Sequence, residues 1–308
     1  MRPSRSRSRS FVALGFAAAW AVPRVAGAQP CCSGATALTP ARLALHEDVL
    51  VGVVARGIWI YGSFDPAGTY VPASSGAAEV DLEQDAVAAV RVAARGQASI
   101  SLPLVETYRR VASAGEWGGG VGDVVFGARW DFVEPGHYVI WPGVAVSGTM
   151  TLPSGRPAEE ATNTQATDAT GAGAFQLGAG LSLEQTFGHV LVHLTGSLAW
   201  RDWRLVGRTR VHDGLGLSVL GAAGWTFDDG AALALTASYS VDGAPEIDGV
   251  TVRDAGRAHT RLGVIGGRGI TDRLRLQGGV FGDLPIPHLG HGQPIGLGSS
   301  LALLLSWS

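Results

Sequence analysis

Three groups of side chains in this sequence could do chemistry: a serine–histidine set, a thiol and imidazole set, and a long series of arginines interleaved with acids. Ser182, His193 and Ser197 could supply the nucleophile and base of an acyl-transfer site. No nucleophile elbow surrounds either serine. His193 and Ser197 are four apart on one extended segment, which at the rise of a strand separates them by roughly 13 Å, beyond hydrogen-bond reach. Structural polar lining is the better reading, so no catalytic residue is assigned and the chain is read as a non-enzyme. Cys31 and Cys32 are adjacent, a geometry that rarely closes a disulfide without strain. Thiols that pair, with each other or with something else, are favoured over a redox switch. No His or Cys follows them at ligand spacing, and His288 and His291 read as surface histidines in a loop, so no metal or cofactor is expected.

The arginines carry more information. Arg56, Arg91, Arg95, Arg109, Arg129, Arg201, Arg261, Arg273 and Arg275 fall on the polar face of period-two segments with Glu83, Asp85, Asp123, Asp131, Glu184, His193 and His259, so that nine Arg meet five acids. If these faces line one interior, two chemistries follow. Charges that pair across the interior hold its wall, because a buried charge needs a partner. Arginines left without an acid form a constriction that favours anions, as rings of charge do in pores. Both can hold at different depths. The candidate selectivity residues are Arg109, Arg129, Arg273 and Arg275, with Asp123, Asp131 and Glu184 lining the same space.

The elements that must position them are strands. From Val124 to Phe132 every second residue is apolar (Val124, Phe126, Ala128, Trp130, Phe132), and the other face carries Asp123, Gly127, Arg129 and Asp131. A Glu134-Pro135-Gly136 turn returns the chain through Tyr138, Ile140, Val144, Val146 and Met150, opposite Gly143, Ala145, Ser147 and Thr149. The same rhythm predicts twelve strands, near 48–61, 81–95, 97–110, 121–133, 137–150, 171–187, 189–203, 214–227, 230–241, 257–269, 272–284 and 296–307. Connections alternate between long (62–80, 111–120, 151–170, 204–213, 242–256, 285–295) and short (near Gly96, Pro135, Gly188, Asp229 and Thr271). Residues 83–96 are Ala-rich and could also be drawn as an amphipathic helix; the strand is preferred. Pro103 and Pro142 fall inside predicted strands and imply bulges or breaks.

Six long and five short connections fit a barrel with an even strand number and short periplasmic turns, with Trp130, Phe132 and Tyr138 clustered beside one short turn as an aromatic girdle. In hydrocarbon every unpaired backbone group is costly, so the sheet must close. The fold class is therefore all-β: a transmembrane antiparallel up-and-down β-barrel of about 12 strands. Twelve strands lie between filled eight-stranded walls and open sixteen-stranded porins, which implies a narrow or partly obstructed bore.

Composition agrees. Arg2, Arg5, Arg7 and Arg9 precede an apolar run from Phe11 to Val22 and then Ala26-Gly27-Ala28, the pattern of a secretory signal cleaved near Ala28. The expected division is a signal peptide over 1–28, a short periplasmic leader over 29–46 and an outer-membrane barrel over 47–308. Removing the five Arg of the signal leaves 18 basic against 26 acidic residues, a net charge of about −8 that makes nucleic acid a poor partner. No later segment has the roughly 20 uninterrupted apolar residues of a spanning helix. The expected partners are outer-membrane lipid, the barrel-assembly machinery and a small-molecule solute.

Gly122-Asp123, Gly127-Ala128-Arg129-Trp130 and Leu152-Pro153-Ser154-Gly155, preceded by Ser101-Leu102-Pro103, resemble the transporter-like outer-membrane family assigned to the meta-cleavage pathway of phenol degradation. The resemblance is clearest over 99–155 and continues as barrel rhythm; Ser154 stands where Thr is commoner, and the chain ends Trp307-Ser308 rather than on an aromatic. It implies a channel related in architecture to long-chain fatty-acid and aromatic-hydrocarbon transporters. Two functions stay open: a passive channel or transporter for small solutes, hydrophobic or aromatic ones included, and a non-conducting structural or surface-binding barrel.

Overall fold

A computed structural model of the chain describes residues 42–44, 46–136 and 140–308. The expected export signal and cleavage site, the Cys31–Cys32 pair, Tyr138 and the first part of the expected leader lie outside the described residues.

Twelve antiparallel strands form the wall: β1 Val49–Phe64, β2 Ala78–Ala93, β3 Gly96–Val111, β4 Val124–Val133, β5 Gly143–Leu152, β6 Gln176–Phe187, β7 Val190–Arg201, β8 Gly216–Thr226, β9 Ala232–Asp242, β10 Arg257–Gly269, β11 Leu274–Asp283 and β12 Pro294–Trp307. Each pairs with the next, and β12 returns onto β1 from Val49↔Trp307 to Ser63↔Pro294, so the cylinder has no open edge. Side chains alternate as period two requires. On β12, Leu297, Leu301, Leu303, Leu305 and Trp307 are exposed on the outer surface while Ala302, Leu304 and Ser306 are buried inside. On β4, Phe126, Trp130 and Phe132 face out and Arg129 faces in. Residues 78–93 are strand rather than helix, fixed on both sides by the ladders to β1 and β3.

Two departures from the sequence reading have local causes, and one expected break is present. Residues 111–120 are not a loop. A two-residue turn at Ala112 and Ser113 starts a strand, Ala114–Val121, that pairs with the upper half of β3. Trp117 and Val121 face out and Glu116, Gly118 and Gly120 face in; the alternation is hidden in the sequence because glycine carries no hydropathy. Pro142 does not interrupt a strand, since β5 begins one residue later at Gly143, where the missing N–H costs nothing. Pro103 does mark a break: β3 pairs with β4 up to Ser101↔Val125 and with Ala114–Val121 from Leu104↔Val121, and Gly122 N–H donates to the Pro103 carbonyl at 2.8 Å across the gap.

The strand ends Val49 and Trp307 lie at the end of the barrel that carries the short turns, where Gly188 and Gly230 take positive φ of 59° and 77°. At the opposite, long-loop end, Arg204–Val206, Thr209–His212, Glu246–Ile247 and Val250–Thr251 make a small second sheet from the connections after β7 and β9. The 151–175 connection contains a single 3₁₀ turn at Ala158–Glu160.

Candidate functional site

The interior is built in tiers. At the short-turn end, Arg42, Leu43, Ala44 and Glu47 are buried within the barrel. Leu43 packs against Leu50, Val87, Ala89, Ala302 and Leu304, all inward-facing. The backbone of this segment is held by polar wall residues: Leu43 N–H donates to Gln97 Oε1 at 3.0 Å, and Arg91 donates to the Ala44 carbonyl at 2.6 Å and the Glu47 carbonyl at 2.9 Å. Glu47 in turn accepts from Arg275 at 2.8 Å and from Ala44 N–H at 2.8 Å. Wall side chains thus meet the Leu43 N–H and the Ala44 and Glu47 carbonyls, as a buried backbone requires.

Beside it stands a buried charge cluster centred on Glu184, whose side chain is 1 % exposed. Arg42 approaches Glu184 Oε1 at 2.5 Å, Arg129 at 3.2 Å and His193 Nδ1 at 3.2 Å. Arg129 also bonds Asp131 at 2.9 Å. The other ring nitrogen of His193 lies 2.6 Å from Thr195 Oγ1, which is 2.9 Å from Ser182 Oγ. Ser182 and His193 are therefore brought together through Thr195, which lies two residues from His193 on the same inward face and which no motif spacing marks. His193 thus stands between Thr195, within hydrogen-bond reach of Nε2, and Glu184, in close contact with Nδ1. Backbone N–H groups around it belong to the strand ladders, and the Glu184 carboxylate clamps the Arg42 guanidinium.

Above this tier a cavity of about 310 Å³ opens on the β5–β9 side, lined by Ser147, Thr149, Gln176, Ser197, Ser218 and Ser240 and bounded by Arg201 and Asp242. The larger concavity, about 1370 Å³, lies mainly over the outward-facing Ala55, Gly57, Gly266, Gly278 and Leu301. At the long-loop end the 151–175 connection folds against the inner face of Ala114–Val121. Asp168 gathers the Arg156 guanidinium, the Thr162 N–H and hydroxyl and the Asn163 N–H, which hold its carboxyl well below the usual carboxylate range, the Thr162 bonds being the largest cause. Gly118 allows the approach, since a Cβ there would stand 2.6 Å from the Thr167 carbonyl carbon.

The candidate selectivity residues separate. Arg129, Asp131 and Glu184 form one cluster. Arg275 is in the same tier but belongs to Glu47. Arg109 is near the other end, bonded to Glu79 at 2.9 Å and to the Gln165 carbonyl at 2.9 Å. Asp123 holds the 151–175 connection, accepting from Gly155 N–H at 2.8 Å and Ala172 N–H at 2.7 Å. Arg273 is exposed in the turn between β10 and β11, outside the bore. The sequence count left arginines without acids; the structure adds partners it had not placed inside, with Glu79 on Arg109, Asp242 on Arg201, Asp283 on Arg261 and Glu47 on Arg275. Among the described residues no group of His, Cys, Asp and Glu could hold a metal ion, and His288 and His291 belong to the loop before β12.

No protein-family model matches the chain, and no curated protein matches it. Its fold is similar to that of the COG4313 outer membrane channel from Pseudomonas putida F1, with a TM-score of 0.71 and 17% identity over 86% of this chain and 97% of that one. The NanC porin (TM-score 0.45, 10% identity, 83% of this chain and 99% of that one) and the CymD monoaromatic hydrocarbon channel (0.45, 9%, 92% and 95%) are more distant in fold.

Proposed function

We propose that this chain is an outer-membrane passive channel for small solutes, inserted through outer-membrane lipid with its short turns towards the periplasm. The observation that carries the reading is the sidedness of the wall: a closed barrel with an apolar outer face and an interior of hydroxyls and paired charges, which is what lipid outside and water inside demand. The fold shared with the COG4313 channel supports it. Arg42, Leu43, Ala44 and Glu47 fill part of the short-turn end and on this reading make the narrow point, so solutes pass beside them or when they move.

One observation favours aromatic solutes, in line with the phenol-pathway resemblance: on the β1–β11 side Phe281 faces inward under Arg261, whose guanidinium carbon is 4.7 Å from the ring centroid, and Tyr61 donates to the Asp283 carbonyl nearby. A liposome swelling series tests the proposal. Refolded protein should admit small solutes and exclude those above a sharp size limit, and swelling no faster than in protein-free liposomes would favour the non-conducting barrel, for which residues 42–47 in the mouth are the best argument.

A further inference from the structure

We infer that the lumen contains a binding subsite for a small neutral polyol on the β5–β9 side, above Thr195; the inference rests on the channel reading. The cavity exists because of two glycines. Gly178 and Gly180 face inward opposite Thr149 and Ser147, and a Cβ at Gly180 would stand 2.6 Å from Ser147 Oγ. The space this leaves, about 310 Å³, is at the small end of ligand-site volumes, roughly 300–1,000 Å³.

The lining decides the class of ligand. Ser147 and Thr149 make no side-chain hydrogen bond among the described residues, and Ser197 and Ser218, 2.7 Å apart, use one donor and one acceptor between them. Each hydroxyl can donate once and accept twice, so the wall presents both donors and acceptors at close intervals. A hydroxylated solute offers the same mixture and can satisfy it.

Other classes fit less well. An anion needs an unengaged cation, but Arg201 is bonded to Asp242 at 2.9 Å and to Gln176 at 2.9 Å. The same pair leaves Asp242 no free charge for a cation. An aromatic solute needs an apolar or aromatic platform, yet Trp200, Trp225 and Tyr239 on these strands all face outward. Below, the Thr195–His193–Glu184 tier closes the floor, so a solute from the long-loop end would rest here before the narrow point.

The test pairs equilibrium dialysis of radiolabelled ribitol against the refolded protein in detergent with potassium chloride conductance of the same preparation in planar bilayers. Ribitol binding should saturate at one site per barrel, resist an equal concentration of benzoate, disappear in Gly180→Val and survive in Ser299→Ala on the outer face. If Gly180→Val does not fold, judged by heat-modifiable gel mobility, Ser197→Ala with Ser218→Ala serves instead and should weaken binding at least fivefold. Non-saturable uptake, displacement by benzoate, or binding untouched by the folded variant overturns the subsite. Conductance without ribitol binding removes the subsite and leaves the channel; ribitol binding without conductance does the reverse.

Discussion

Replacing Glu184 by Gln should loosen residues 42–47 and widen the bore. Glu184 is 1 % exposed and faces Arg42 and Arg129, each 7 % exposed, at 2.5 and 3.2 Å. Removing one partner of a buried ion pair costs about 3–5 kcal/mol, because the other charge stays behind without compensation. Arg129 keeps Asp131 at 2.9 Å, so the cluster is only partly stripped of its acids and the lower figure applies, about 3 kcal/mol. At about 1.4 kcal/mol per tenfold, this shifts the seated-to-unseated ratio by roughly 10²-fold. Seating is not abolished, since Leu43 still buries its side chain, worth about 1.5–3 kcal/mol, and Gln97, Arg91 and Arg275 still hold the backbone and Glu47. The assay is single-channel recording of refolded Glu184→Gln beside Glu160→Gln, which changes an exposed loop carboxylate. Long-lived larger openings are expected in the first and not the second. A folded Glu184→Gln barrel with parental conductance and open time would refute the clamp.

Arg at Leu303, on the exposed outer face, should cost roughly 2–4 kcal/mol if it lies near the midplane, whereas Arg at inward Ser147 should cost much less; a lipid refolding titration compares them, and equal losses would reverse the face assignment. With Cys31 and Cys32 replaced by Ser, a Cys at exposed Glu160 should react with an impermeant label on intact cells and a Cys at exposed Asp228, in the turn after β8, should not; labelling of Asp228→Cys alone would invert the topology. Asp168 has a folded pKa below its ordinary value of 3.8, so its contribution to loop order is present above about pH 4 and is withdrawn as the pH falls towards the folded value. Limited proteolysis should therefore spare residues 153–171 from pH 5 to 8, with cutting appearing at neutral pH in Asp168→Asn; equal resistance in the variant would count against this anchor.

The wall was readable because lipid outside and water inside write period two directly into the strands: β6 to β12 appear where Leu, Val and Trp alternate with Gly, Ser and charge. Ala114–Val121 escaped because its inward face is Glu116, Gly118 and Gly120 and its turn uses Ala112 at φ 55° rather than glycine. The interior was harder to read, since period two says which way Arg109 or Arg275 points and not what crosses the lumen to meet it. Glu79, Asp242 and Asp283 lie at strand ends, where the alternation is weakest. A signal for the entering segment was present: Leu50, Val87, Ala89, Ala302 and Leu304 are apolar on the face that should be wet, and Leu43 is what they cover. Asp123 reads as lumen lining from its parity alone, while the 151–175 connection that it binds arrives from some thirty residues along the chain.

The most direct measurement is conductance of the refolded barrel in a planar bilayer, recorded with residues 29–47 present and deleted. Small discrete steps in the intact barrel, and clearly larger ones after deletion, are predicted by a polar bore narrowed by residues 42–47. Absence of steps in both forms would contradict a conducting lumen, and identical steps in both would contradict the narrowing.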